Sequence, residues 1–195
     1  MRKTIFKHFF ALGLLIMVLL VSSAPVVAAS LTPLEEEHLI FIREEEKLAR
    51  DFYIKMYEKW GSLVFNNINT SEQEHMDAVL RLLVKYGIPD PASKKIGVFN
   101  NTSLQDLYND LMRQGEASLL GALQAGAFIE EYDIKDLRTA FADTAKTDIK
   151  RIYSNLELGS ENHLRAFVSH IEAITGTSYV VQVLPQNEVD TILER

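Results

Sequence analysis

Four long stretches of this chain repeat apolar residues in alternating steps of three and four, and each repeat is broken near its middle by an acid or a histidine. Steps of three and four trace one face of a helix. The first stripe is Leu39, Ile42, Glu46, Ala49, Tyr53, Met56, Trp60. The second is Phe65, Ile68, Glu72, His75, Val79, Leu82, Tyr86. The third is Leu120, Leu123, Ala127, Glu130, Ile134, Leu137, Phe141, with Asp133 three residues beyond Glu130. The fourth is Tyr153, Leu156, Ser160, His163, Phe167, His170, Ile174. The pattern requires four amphipathic helices whose apolar faces meet, with polar groups inside the contact.

Local signals set the helix limits. Thr32-Pro33-Leu34-Glu35 places Thr at the N-cap, Pro at the first helical position and Glu at the third. The spacing predicts helices over about 33–60, stopped by Gly61, and over about 63–86, stopped by Gly87 and Pro89. Two more follow, over about 118–142 and 146–174, the last stopped by Gly176. The connection from Ile88 to Gly115 is longer and carries a short amphipathic helix through Leu104, Leu107, Tyr108, Leu111 and Met112. Two short connections and one long one predict an all-α, ferritin-like four-helix bundle, its long crossover lying between the second and third bundle helices. The tail holds a β-like run, Tyr179 to Val183, then a segment able to form a last helical turn, and is expected to lie as a strap over the bundle.

The first 29 residues read differently. Arg2, Lys3 and Lys7 precede an apolar run from Phe9 to Val21, and Val27-Ala28-Ala29 is a small-residue cleavage signal. This is the plan of a secretory signal peptide. The run is short for a membrane span of about 20 apolar residues, the alternative if it is kept as an anchor. The expected organisation is a signal peptide over 1–29, a bundle over 30–176 and a tail over 177–195, exported from the cell. Removing 1–29 takes away three basic residues and no acidic ones, which moves the formal charge from −7 to −10. Nucleic acid is thereby disfavoured, because a phosphate backbone needs a basic face.

Burying one ion costs several kcal/mol even after relaxation. Three buried carboxylates therefore approach the whole stability of a domain, about 5–15 kcal/mol. Shared protons, basic partners, partial exposure or metal cations could offset this, and basic residues are scarce on the four stripes. The chain has no Cys, so a metal would be held by Asp, Glu, His or backbone oxygen. Glu72 and His75 form a Glu-x-x-His pair, whose side chains leave the helix on one side. Plainer readings stand beside this one: Glu44-Glu45-Glu46 as a solvated acidic run, His75 and His163 as hydrogen-bonded core histidines, and Tyr53, Trp60, Tyr86, Tyr153 and Phe167 as packing. No Gly-rich phosphate loop, Gly-x-Ser-x-Gly elbow or His-Glu-x-x-His pair is present.

Four segments carry a resemblance. Arg43-Glu44-Glu45-Glu46-Lys47-Leu48-Ala49-Arg50-Asp51-Phe52-Tyr53 and Ser71-Glu72-Gln73-Glu74-His75-Met76 resemble the first two metal helices of ferritin-like, rubrerythrin-type proteins. Gly126-Ala127-Phe128-Ile129-Glu130-Glu131-Tyr132-Asp133-Ile134 and Gly159-Ser160-Glu161-Asn162-His163-Leu164-Arg165-Ala166-Phe167 resemble the other two. In this order they are similar to the family known as domain of unknown function 2202. The resemblance implies a two-metal carboxylate site, usually of iron, reacting with oxygen or peroxide; manganese or zinc in place of iron is left open, as is a homodimer. It implies metal ligation by Glu46 (or Glu45 if the register slips by one), Glu72, His75, Glu130 (ahead of Glu131) and His163, with Asp133 as an extra ligand. Without Cys, electrons would come from an external donor. The departure is Ser160, where the pattern carries a carboxylate. The alternative is a metal-binding or structural bundle with an incomplete site and no catalysis.

Overall fold

The computed structural model describes residues 30–195, and the expected signal peptide over 1–29 lies outside them. Six helices follow in order: α1 Pro33–Trp60, α2 Leu63–Tyr86, α3 Thr102–Ala117, α4 Leu119–Ala142, α5 Thr147–Thr175 and α6 Gln186–Ile192. Among the described residues there is no strand. The start of α1 is the expected capping box: the Glu35 amide donates to Thr32 Oγ1 and the Thr32 amide to the Glu35 carboxylate. Gly61 ends α1 in the left-handed conformation at φ 65°, which lets Leu63 open α2 after a two-residue turn.

Side-chain contacts fix the helix directions. Glu35 at the start of α1 meets Thr144 just beyond α4, whereas Tyr53 farther along α1 meets Glu130 and Gly126. Lys85 and Tyr86 meet Asp148, whereas Phe65 meets Phe167. Thus α1 runs antiparallel to α4, and α2 to α5. The tight turn makes α1 antiparallel to α2, so α2 and α4 run parallel. The chain leaving α2 must therefore travel the length of the bundle before α4 begins, and the crossover containing α3 does this.

The crossover docks on α1 through charge. Arg43 binds Asp90 with two bonds of 2.9 and 2.8 Å, and Glu44 accepts the Asn100 and Asn101 amides at 2.7 and 2.9 Å. Lys47, fully buried, pairs with Asp51 and donates to the Lys95 carbonyl. Asp51 accepts the Gly97 amide at 2.9 Å.

The β-like run at Tyr179–Val183 does not form a strand. An all-helical bundle offers no sheet edge, so its amides find another acceptor. Gln182, Val183 and Leu184 donate to the buried Glu131 carboxylate, and Tyr179 adds its hydroxyl. The final segment forms α6, held by buried Val189 and Ile192 and by Arg138 bonding Glu188.

The core has two apolar parts. One contains Phe52, Tyr53, Phe65 and Phe167, the other Leu39, Ile42, Val79, Leu137 and Tyr153. The polar residues of the four stripes, His170 apart, lie between them.

Candidate metal centre

Each bundle helix contributes to this middle layer. Glu46 comes from α1, Glu72 and His75 from α2, Glu130 from α4 and His163 from α5, and all five are buried. They form two overlapping sets, Glu46–Glu72–His75 and Glu72–Glu130–His163, with donor atoms within 4.8 Å of one another in each. Glu72 belongs to both. One of its oxygens lies 2.8 Å from His75 Nδ1, the other 2.8 Å from His163 Nδ1. Glu46 stands 3.2 Å from His75 Nδ1 and Glu130 3.4 Å from His163 Nδ1. The two imidazoles are 5.6 Å apart between centroids.

The donor atoms converge and only partly satisfy one another: His75 Nδ1 bonds Glu46 Oε2 and Tyr53 bonds Glu130. Glu72 Oε1 and His163 Nδ1 are close, yet their alignment makes no hydrogen bond, and Glu46 Oε1 is buried with no partner. A buried polar atom without a partner costs about 1–3 kcal/mol, more when charged. Lone pairs aimed at a common point are what a cation needs, and oxygen with imidazole donors suits iron, manganese or zinc. These residues could therefore hold a metal ion. None of the ion pairs these carboxylates make among the described residues involves Lys or Arg; the partners are His75 and His163.

Without metal, protons fill the role. Burial opposes a charged His75, but Glu46 and Glu72 outweigh it and push its pKa up to about 12. His163 is raised to about 10, against burial, by Glu72 and Glu130. Burial raises Glu46 to about 7, with His75 pulling the other way. Glu72 is the exception: its two histidines overcome burial and hold it well below the usual carboxylate range. Tyr53 donates to Glu130 at 2.5 Å, and burial together with that carboxylate raises its phenol pKa well above its usual value.

The other candidates go elsewhere. Asp133 joins neither set; its Oδ2 accepts the Ser160 hydroxyl at 2.5 Å. A carboxylate at position 160 would face Asp133 as a like charge, so the serine and the aspartate fit as a pair. Glu131 holds the tail and Glu44 the crossover. Glu45 is buried with no hydrogen-bond partner, and His170 lies on the surface. Gly159 was not singled out by the stripes, yet a Cβ there would come within 2.5 Å of His75 Nε2. A glycine inside a helix, which costs about 1 kcal/mol relative to Ala, was the available signal.

The comparisons agree with this architecture. The chain is 48% identical over 160 residues to the "Uncharacterized protein MJ0754" of Methanocaldococcus jannaschii, covering 82% of this chain and 86% of that one. The crystal structure of hypothetical protein MJ0754 from Methanococcus jannaschii superposes with a TM-score of 0.83 at 45% identity, covering 89% of this chain and 98% of that one. A family model described as "Uncharacterized protein domain (DUF2202)" matches residues 35–195, most of the sequence, and the chain belongs to that family.

Proposed function

We propose that the protein is an exported, ferritin-like metal protein whose middle layer binds two metal ions, iron first among them, and reacts with oxygen or peroxide. The observation that carries this reading is the position of Glu72, a buried carboxylate shared by two complete three-donor sets. A ferrous pair, when bound, supplies two electrons to the oxidant. Glu46 and His75 would hold one ion, Glu130 and His163 the other, and Glu72 would touch both. Tyr53 donates its hydroxyl to Glu130 Oε1 and orients that carboxylate. Apolar cores bound the layer above and below. With no Cys in the chain, re-reduction would need an external donor.

A second reading has its own support. Ser160 stands where a further carboxylate would complete the ligand set, and its hydroxyl is engaged by Asp133. On that reading the metal is a structural clamp or a store, without turnover.

Anaerobic loading with ferrous iron, followed by metal counting, separates the two. Two irons per chain, oxidised on peroxide addition, support the first. One iron that peroxide leaves ferrous supports the second. Glu72→Gln should reduce the count to near zero while the far-ultraviolet circular dichroism stays helical; an unchanged count would sink both. N-terminal sequencing of protein secreted by an expressing host tests export, the expected first residue being Ser30.

A further inference from the structure

Contacts between α4 and α5 form a ladder. A Cβ on Gly126 would meet the Phe167 ring at 2.7 Å, Glu130 stands 3.4 Å from His163, and Asp133 accepts the Ser160 hydroxyl at 2.5 Å. Each step forward along α4 is matched by an equal step back along α5, as antiparallel helices require. The Asp133–Ser160 rung is therefore next to the Glu130–His163 rung, about 4.5 Å away along the helix axes. On the α1 side, Asp133 falls between the Glu35–Thr144 and Tyr53–Glu130 contacts, in the stretch that also holds Glu46. The pair thus belongs to the middle layer, while Asp133 is a member of neither donor set.

Asp133 is 5% exposed, and its two oxygens differ. Oδ2 accepts Ser160, whose hydroxyl is also held 3.0 Å from the Leu156 carbonyl one turn back on α5. Oδ1 is buried with no partner. Among the described residues no Lys, Arg or His makes an ion pair with Asp133, unlike Glu46, Glu72 and Glu130, which have histidines beside them. An ionised Asp133 would be a buried charge without a counter-charge, a state that burial strongly disfavours. Burial, with Glu46 and Glu45 nearby, holds its carboxyl well above the usual range. The neutral acid needs a place for its proton. Oδ2 is already an acceptor, so the proton sits on Oδ1, as a donor to which the protein offers no acceptor.

We propose that Asp133 is the proton donor of the centre, a neutral acid whose Oδ1 gives its proton to peroxide in the middle layer, and that Ser160 is the positioning residue that keeps Oδ2 the acceptor. This rests on the two-metal reading of that layer. With two electrons from bound ferrous iron, the Asp133 proton completes cleavage of the peroxide O–O bond. One oxygen leaves as water and the other as hydroxide, and Asp133 is left ionised until solvent returns its proton. On this account Ser160 is the partner that a neutral Asp133 needs.

The test starts with infrared spectra of the metal-free full chain near neutral pH. The difference between wild type and Asp133→Asn should contain the carbonyl stretch of a neutral carboxylic acid, and Ser160→Ala should shift that band. Loading with zinc, which peroxide does not oxidise, should leave the band in place. Asp133→Asn should still bind two ferrous ions per chain and oxidise them with peroxide roughly 100-fold more slowly, the usual scale of a lost general acid. If Asp133→Asn fails to fold, Ser160→Ala carries the test through its band shift and a severalfold slower oxidation. A missing band, a band that Ser160→Ala leaves unmoved, a lower metal count in Asp133→Asn, or oxidation at the wild-type rate in that variant overturns the proton donor and leaves the two-metal centre standing. A wild-type chain that binds no iron, or whose iron peroxide leaves ferrous, overturns the reactive centre itself, and the donor with it.

Discussion

Glu72 shows how a single side chain can be read twice. Its type conflicts with its place on an apolar stripe, and that conflict is visible in the sequence. Its two histidine partners belong to two helices, and only folding shows that one carboxylate serves both. The neighbouring run Glu44-Glu45-Glu46 was less legible. As a solvated acidic run it would be exposed, but all three residues are buried, Glu44 under the crossover and Glu46 in the middle layer against α2. A helical stripe distinguishes one face from the rest, and it loses its power when every face is covered. The protonation of the layer gives a prediction with a fixed sign. His163 is raised from 6.5 to about 10 and His75 to about 12, so their stabilisation is complete below about pH 6.5 and is lost as pH rises through the folded values. Glu46, raised from 4.5 to about 7, acts in the same direction. Glu72, depressed by its partners, contributes fully above 4.5 and does not reverse the trend. The melting temperature of the chelator-treated protein should therefore fall steadily between about pH 5 and pH 10. Metal affinity should rise over the same range, because ions displace those protons. Parallel pH dependences of melting with and without metal would contradict this account.

At the scale of the helix, α5 and α1 carry different burdens. On α5, Gly159 gives His75 its room. Gly159→Ala should push that ring aside and leave Glu72, Glu130 and His163 in place. The metal count should drop from two to one, with helicity retained, in a titration followed by mass spectrometry under native conditions. On α1, the fully buried Lys47–Asp51 pair ties the crossover to the bundle. Asp51→Ala would leave a buried ammonium without its counter-charge, a loss of roughly 3–5 kcal/mol. Urea unfolding should register it as a lower midpoint at unchanged slope. The helix limits were readable because caps and glycines are local chemistry; Thr32, Gly61, Gly87 and Gly176 all act where the sequence placed them. The tail misled because β propensity describes a residue's fit to a sheet. Val180 and Val181 had no sheet to join, and the amides that follow them took Glu131 instead.

Across the whole molecule, the parallel relation of α2 and α4 explains the long crossover, and the crossover explains why α1 is enclosed. Only the long crossover followed from counting connections. The seal on the other side did not, because Glu131 and the amides that satisfy it are some fifty positions apart. Glu131→Gln would set an amide NH2 against backbone donors and should cost on the order of 3 kcal/mol, given that charged hydrogen bonds are worth about 1.5–3 kcal/mol each. Hydrogen exchange at residues 182–184 would speed up in the same variant. The separation also sets an order of events. A chain leaving the ribosome displays α4 with Glu131 on a surface that must become interior, and the amides that bond it emerge only after all of α5. Until Leu184 appears, the growing bundle keeps one wet seam, and any chain stopped short of it leaves that seam unclosed.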